Sequence, residues 1–106
     1  MKDCIFCKLV KGEIPRKLKL ETDNLVVFPD IHPRAPIHLL IVPKKHVRDL
    51  AAASDKIWLE IKAATLKLAE QLNTSGFRIV NNSKAAQEVK HMHVHFLGEV
   101  GLEREL

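Results

Sequence analysis

The clearest pattern along the chain is an apolar stripe that recurs every three or four residues between Ser54 and Leu72. Such spacing places side chains on one face of an α-helix. Ser54 is a favourable N-cap, Asp55 suits the positive end of the helix dipole, and Gly76 follows the end of the pattern. The pattern predicts a long helix over residues 54–72, with an apolar face formed by Ile57, Trp58, Ile61, Ala64, Leu68 and Leu72.

Shorter patterns predict the other elements. Apolar pairs at i, i+4 spacing within residues 4–11 indicate a short helix that ends at Gly12 and Pro15. Alternating or continuous apolar runs bounded by turn residues indicate strands, over residues 17–20, 25–28, 37–42, 77–80 and 89–97. Loops are predicted at 30–36 and 81–87. Strands joined by hairpin-length connections predict an α+β fold, an antiparallel sheet of about five strands with one long and one short helix.

Length and composition narrow the class of protein. The chain has 106 residues, of which 46% are hydrophobic and 28% charged, so we expect a single domain over residues 1–106. The longest apolar run, 39–42, is strand-sized, which argues against a membrane span. No secretory leader is visible and two cysteines are too few for a disulfide scaffold, so a cytoplasmic location is expected. The charge of +4 is spread along the chain, which does not indicate a nucleic-acid partner.

Three of the six histidines fall at alternate positions, His91, His93 and His95. In a strand their side chains share one face, and the intervening apolar residues share the other. Three clustered imidazoles repel one another when protonated, so selection for stability alone does not account for them. Two chemistries fit the residues equally well. Three imidazoles can hold a catalytic zinc with an open fourth position, or one neutral imidazole can act as a nucleophile.

Residues 91–97 resemble the histidine triad of the HIT family, His-φ-His-φ-His-φ-φ, where φ is apolar. The resemblance covers nearly the whole chain. Gly98 and the Ala-Pro-Ile-His sequence at 35–38 point to the Hint-like branch of the family. Further segments similar to the family's lie, in the same order, at residues 4–8, 12–15, 28–31, 41–46 and 81–89.

The resemblance implies a homodimeric, nucleotide-binding hydrolase. Such proteins cleave the bond between the α-phosphate and the leaving group of purine nucleoside (AMP-type) 5'-phosphoramidates through a covalent nucleotidyl-histidine. It makes His93 the nucleophile, supported by His95 and His38, and Asp30 the ligand of the ribose. Asn81, Gln87 and Val89 would hold the phosphate. The base would lie against an apolar wall of Ile5, Phe6, Leu9, Phe28, Ile31 and Leu40.

Two further functions stay open. One is a dinucleoside polyphosphate hydrolase of the same family, and the other is a nucleotide-binding or scaffold module with little turnover. The loop at 82–88 keeps the second open, because it is about one residue short. It also carries Ala86 where the family often has glycine, and Glu88 where many members have Ser or Thr. The chain ends at Leu106, without the longer tail that reaches the partner subunit in some members.

A Cys4-x-x-Cys7 pair lies near the start of the chain. Taken alone it fits a redox pair, part of a metal site or two unrelated thiols, although nothing precedes it that resembles the strand of a redox βαβ unit. Some HIT members bind a structural zinc through two cysteines and two histidines, and Cys4, Cys7, His46 and His91 match those positions. The resemblance therefore implies structural zinc, with no metal needed for the chemistry. His32 is left without a role and is expected to be exposed.

Overall fold

The described part of the chain, residues 3–103 of a computed structural model, is an antiparallel sheet with two helices. This confirms the α+β fold predicted from the sequence. Short 3₁₀ turns at Leu50–Ala52 and Lys84–Ala86 join the larger elements. In chain order these are α1 (Ile5–Lys11), β1 (Leu20–Glu21), β2 (Leu25–Pro29), β3 (Ile37–Pro43), α2 (Asp55–Gln71), β4 (Phe77–Asn81) and β5 (Val94–Gly98).

The order of strands across the sheet is β1-β2-β3-β5-β4. β3 therefore pairs with β5, which carries the last triad histidine. In their register Leu40 lies opposite His95, and His38 lies opposite Leu97. Directly opposed residues point to the same face of a sheet, so His38 and His95 are diagonal neighbours on one face. The sheet pairing thus brings together two histidines that are 57 residues apart.

The two faces of the sheet pack against different helices. On one face the stripe of α2, including Ile61, Ala64 and Leu68, covers a fully buried core formed with Met92, Val94 and Phe96. On the other face Phe6 of α1 packs over a second cluster, which contains Val26, Phe28, Leu40 and Val42. The apolar positions of the triad segment therefore anchor it to the α2 core, and its histidines face the α1 side.

The helix ends follow the predicted caps. The Ser54 side chain accepts a hydrogen bond from the Ile57 backbone N–H at the start of α2. Gly12 closes α1 in the left-handed region at φ 79°. After α2 the left-handed residue is Asn73, at φ 49°, rather than Gly76. Gly76 has a different purpose, since a Cβ there would collide with the Val100 carbonyl oxygen.

Two predicted strand boundaries are wrong. The last strand begins at Val94 and not at Val89, and the first begins at Leu20 and not at residue 17. Ahead of β5 the backbone leaves the sheet, because the Met92 N–H donates to the Val47 carbonyl instead of to a strand of the sheet, at 2.6 Å. Apolar alternation continues through this segment without sheet pairing. No helix within residues 3–103 combines the length and apolar character needed to cross a bilayer.

Candidate active site

His93 lies immediately before β5, and the residue is only 5% exposed. A hydrogen bond fixes one nitrogen of its ring. Its Nδ1 is 2.8 Å from the His91 carbonyl oxygen. A carbonyl only accepts hydrogen bonds, so Nδ1 carries the proton and Nε2 keeps a free lone pair in the neutral ring. Phe6 packs edge-on against the ring at a centroid distance of 4.9 Å. The ring is therefore fixed both in orientation and in tautomer.

His38 and His95 form a hydrogen-bonded pair beside His93. The Arg34 backbone N–H donates to His38 Nδ1 at 3.0 Å, which places the proton of a neutral His38 on Nε2. That Nε2 lies 2.9 Å from His95 Nδ1 and 3.5 Å from Asp30 Oδ2. His95 Nδ1 therefore accepts, and its own proton sits on Nε2. The ring centroids of His93 and His95 lie 5.1 Å apart in an edge-to-face arrangement, so the two rings are direct neighbours.

The environment keeps His95 neutral at pH 7. Burial, followed by the nearby His93 and His38 rings, lowers the pKa of His95 to about 4. The carboxylate of Asp30 opposes this shift but does not cancel it. A positive ring at this position would have to share the site with two other imidazoles. In the free protein His95 is consequently uncharged at neutral pH.

An apolar cavity of about 630 Å³ opens beside these histidines. His93 and His95 line its inner end together with Asp30, and Val89 lies in its wall. The six side chains expected to surround a base all line it: Ile5, Phe6, Leu9, Phe28, Ile31 and Leu40. Ile31 is 86% exposed, so it forms the rim rather than the floor. The volume is within the range of small-molecule sites in proteins.

A second, polar cavity of about 470 Å³ shares His93, His95 and Asp30 with the first. His38 and Gln87 also line it, and the backbone of residues 85–88 forms one side. The two cavities therefore meet at the imidazoles. An elongated ligand with an apolar end and a charged end fits this pair of spaces.

The structure places two predicted phosphate ligands in other contacts. Asn81 Nδ2 donates to the His93 carbonyl at 3.0 Å, and Asn81 lines neither cavity. Its Oδ1 is buried without a hydrogen-bond partner among residues 3–103. Gln87 lines the polar cavity, but its Nε2 donates to the Arg48 carbonyl at 2.6 Å. The Asn81 amide therefore fixes the backbone at His93, and the Gln87 amide links the end of the 84–86 turn to Arg48.

A separate cluster joins the start of α1 to the triad segment. His91 Nδ1 is 3.3 Å from Cys4 Sγ and 3.5 Å from Cys7 Sγ, and His46 Nδ1 is 3.3 Å from Cys7 Sγ. All four ligand atoms lie within 4.8 Å of one another. Burial raises the pKa of the Cys7 thiol and lowers that of His91. The four residues matched by resemblance are thus brought together in space.

The position of His91 separates it from the other two histidines of the triad. Its Nε2–H donates to the Pro43 carbonyl at 2.8 Å, and its Nδ1 faces the thiols, so both ring nitrogens are engaged. Within the described residues, the groups whose atoms converge enough for a metal do not combine His91 with His93 and His95. This geometry disfavours the catalytic zinc held by all three imidazoles.

Several lining residues are absent from the set predicted from the sequence, among them Glu88, which lines both cavities, and four basic or histidine side chains. Arg16 and Lys17 line the apolar cavity, Arg34 lines the polar one, and His32 lines both. His32 is exposed, as expected. The basic residues lie in irregular segments, where no periodicity indicates the direction of a side chain, so no sequence signal could have identified them.

Comparisons with known proteins agree with this geometry. The HIT domain profile matches residues 11–101. A histidine triad protein from Clostridium difficile is 40% identical, with a TM-score of 0.91, and the alignment covers 100% of this chain and 98% of that one. A HIT family hydrolase from Legionella pneumophila is 39% identical, with a TM-score of 0.86 and coverage of 94% and 96%.

A Zn-bound histidine triad family protein from Mycobacterium smegmatis is 27% identical, with a TM-score of 0.86 over 97% of this chain and 79% of that one. The sequence match extends over most of the chain, and the fold match extends over both helices and the sheet. Hydrolase activity is therefore supported at the level of the family. The chain belongs to the HIT family.

Proposed function

We propose that this protein hydrolyses purine nucleoside 5'-phosphoramidates, or closely related α-phosphate bonds, through a nucleotidyl intermediate on His93. One observation carries the proposal. The His91 carbonyl holds the proton of His93 on Nδ1, which leaves Nε2 free at the junction of the two cavities. A nucleophilic imidazole needs this tautomer, fixed by an acceptor on its other nitrogen.

The two cavities suit the parts of a nucleotide. The flat, apolar base would occupy the larger cavity between Phe6, Phe28 and Leu40. Asp30 lies between that space and the histidines. Its Oδ1 accepts the His32 backbone N–H at 2.8 Å, but each carboxylate oxygen has further lone pairs for ribose hydroxyls. The α-phosphate would then lie beside His93, where the polar cavity begins.

The chemistry divides into two displacements. First, the lone pair of His93 Nε2 attacks phosphorus, and the bond from phosphorus to the leaving nitrogen breaks. With the anionic substrate bound, His95 takes up a proton from solvent, because a neighbouring negative charge favours the charged ring. Its Nε2–H then supplies the proton that the departing amine needs, which leaves His95 neutral. The phosphorylated His93 ring is then cationic, and its Nδ1–H bond to the His91 carbonyl stabilises it. Second, water gives its proton to His95 and attacks phosphorus, which releases the nucleoside monophosphate and restores both rings. Proton transfer of this kind typically contributes about 10²–10⁴ in rate.

The phosphate contacts support a second candidate, a nucleotide-binding module with little turnover. The side-chain amides of Asn81 and Gln87 are already bonded to backbone carbonyls. Fewer donors then remain for the developing charge on the phosphate oxygens, and such donors are a major source of catalysis. Turnover separates this candidate from the hydrolase, since both bind the same nucleotide.

We further infer that Cys4, Cys7, His46 and His91 hold a structural zinc. A tetrahedral zinc with bonds of about 2.3 Å to sulfur and about 2.0 Å to nitrogen keeps its ligand atoms roughly 3.3–3.8 Å apart. The closest separations in the cluster, 3.3 to 3.5 Å, agree with that spacing. The Pro43 carbonyl orients His91 from outside the cluster. Zinc here would fasten α1 to the triad segment, and the two thiols would need the reducing conditions expected of the cytoplasm.

We also propose that two copies of the chain associate. β4 is an edge strand, and its side chains Phe77, Ile79 and Val80, which lie on both faces of the sheet, are 39, 42 and 37% exposed. Leu59 and Leu66 of α2 are 63 and 54% exposed. A long apolar edge strand beside an apolar helix face is normally covered by a partner. A second copy would extend the sheet through β4.

Trapping the intermediate tests the hydrolase directly. The protein is mixed with an adenosine 5'-phosphoramidate, quenched within milliseconds and analysed by mass spectrometry. We expect a mass increase of one adenylyl group that maps to His93 and disappears in His93→Ala. Lys19→Ala, which removes an exposed side chain that lines neither cavity, serves as the control and should retain the adduct. Slow turnover without any adduct, but with retained nucleotide binding, would favour the binding module.

A further inference from the structure

Two cationic side chains line the apolar cavity and have no part in the proposed mechanism, the exposed Lys17 and the partly buried Arg16. Arg16 lines the cavity from the irregular segment that follows α1. Among residues 3–103 its guanidinium forms no salt bridge, and its Nε has no hydrogen-bond partner. A guanidinium carries five N–H donors, and leaving buried donors unpaired costs stability. The arrangement is that of a donor group awaiting an acceptor from a ligand.

Gly12 fixes where Arg16 lies. The guanidinium packs against the bare Cα of Gly12, and a Cβ there would be 2.7 Å from Arg16 Nη1. Gly12 also has φ 79°, which disfavours any side chain at this position. With Nη1 against Gly12, the opposite edge of the guanidinium, formed by Nε–H and Nη2–H, stays uncommitted. That edge is the one that binds pairs of acceptors side by side.

The length of α1 separates Arg16 from the histidines, so Arg16 would face the nucleobase of a bound nucleotide. Cys4, at the start of α1, contacts His91, and Phe6 contacts His93. Gly12, against which Arg16 packs, follows the end of the helix. Seven helical residues span about 10 Å, so the end of α1 near Arg16 is about that far from the end that contacts the histidines. A nucleotide with its phosphate at His93 would direct the outer edge of its base toward Arg16.

A donor-only group distinguishes between purines. Guanine and hypoxanthine present two adjacent acceptors, O6 and N7, which an arginine binds as a pair. Adenine presents N7 beside an amino group, so one of the two donors of Arg16 would face another donor. Building on the proposed nucleotide site, we propose that Arg16 is a specificity-determining residue that selects 6-oxopurine nucleotides over adenine nucleotides. The preferred substrates are then guanosine or inosine 5'-phosphoramidates.

Calorimetric titration of GMP, IMP and AMP tests this assignment. The wild-type protein should bind GMP and IMP about tenfold or more tighter than AMP. IMP lacks the 2-amino group of GMP, so equal affinity for the two identifies O6 and N7 as the recognised atoms. Arg16→Ala should bring all three affinities to about the AMP value. Arg16→Lys, which keeps the charge but loses the paired geometry, should lose most of the preference. Lys19→Ala removes an exposed charge nearby and should leave the preference unchanged.

Three outcomes would overturn the proposal. Equal binding of AMP and GMP by the wild type excludes base selection without reference to any variant, so the test does not depend on how well Arg16→Ala folds. Equal weakening of AMP and GMP in Arg16→Ala would mean that Arg16 only stacks on any base. In both of these cases nucleotide binding persists, so the proposed function stands. If the wild type binds none of the three nucleotides, the proposed function fails together with the base selection.

Discussion

The Nδ1 of His93 donates to the backbone carbonyl of His91, two residues earlier, at 2.8 Å. The same His91 directs its own Nδ1 to the thiols of Cys4 and Cys7. One residue therefore has two functions: its side chain joins the cysteine cluster, and its backbone sets the tautomer of the neighbouring histidine. Any change that shifts the His91 backbone should reach His93 directly.

Asn81 should act by positioning His93 rather than by binding phosphate. Its amide donates to the His93 carbonyl at 3.0 Å. We expect Asn81→Ala to lower kcat about tenfold or more and to change KM by less than threefold, because losing one hydrogen bond in a buried site costs about 1–2 kcal/mol. Steady-state kinetics with a nucleoside phosphoramidate provides the measurement. Lys62→Ala, a change at an exposed residue of α2 that lines neither cavity, is the control. A rise in KM at constant kcat would instead show that Asn81 contacts the substrate.

His95 should titrate far below an ordinary histidine. Its pKa is lowered to about 4, by burial first and then by His93 and His38. We expect the NMR chemical shifts of its ring to change with a midpoint near pH 4. A midpoint at or above pH 6.5 would contradict the lowered pKa of the buried His95 ring. The spectrum of His95→Gln assigns the resonance.

The same pKa predicts how stability depends on pH. The native pKa lies below the unfolded value of 6.5, so the unfolded state binds more protons between pH 6.5 and 4. The contribution of His95 to stability is complete above pH 6.5 and is lost progressively as the pH falls toward 4. Urea denaturation at pH 7 and pH 5 measures the effect. The loss of stability between these values should be smaller in His95→Gln than in the wild type.

Removal of one cysteine should release the zinc. We expect about one equivalent of zinc in protein purified without chelator, and less than a tenth of that in Cys4→Ser, measured by atomic emission. The melting temperature should fall by several degrees, because metal binding contributes to folding. His32→Ala removes a histidine outside the cluster and should keep both the metal and the melting temperature. Less than a tenth of an equivalent in the wild type would eliminate the zinc proposal.

A charge on β4 should separate the two proposed copies. Ile79 is 42% exposed on the edge strand, and a lysine there would be buried unpaired in an extended sheet. Ile79→Lys should therefore halve the mass measured by light scattering at micromolar concentration. Lys19→Glu, near the opposite edge of the sheet, should leave the mass unchanged. A monomeric wild type at the same concentration would rule out this mode of association.

Local patterns determined most of the secondary structure. The 3.6-residue period of α2, the Ser54 cap and the left-handed Gly12 depend on residues within a few positions of one another, so the chain reveals them directly. The alternation through 91–97 similarly separated the histidines from the apolar core residues. It did not reveal that the strand begins only at Val94. That boundary depends on whether the Met92 N–H finds a partner in the sheet or in the distant Val47.

The candidate site likewise has some features that the sequence indicated and others that only the tertiary structure decided. Residue types and their order indicated a histidine triad, with zinc binding and nucleophilic catalysis both open, and a cysteine pair, because these features lie in short stretches of the chain. Only the tertiary structure joined Cys4 to His91 across 87 residues and His38 to His95 across 57. It also engaged the Asn81 amide with the His93 carbonyl and placed Arg16 in the lining of the apolar cavity. Sequence specifies which groups are present, whereas sheet register and helix packing decide which hydrogen bonds those groups can still make.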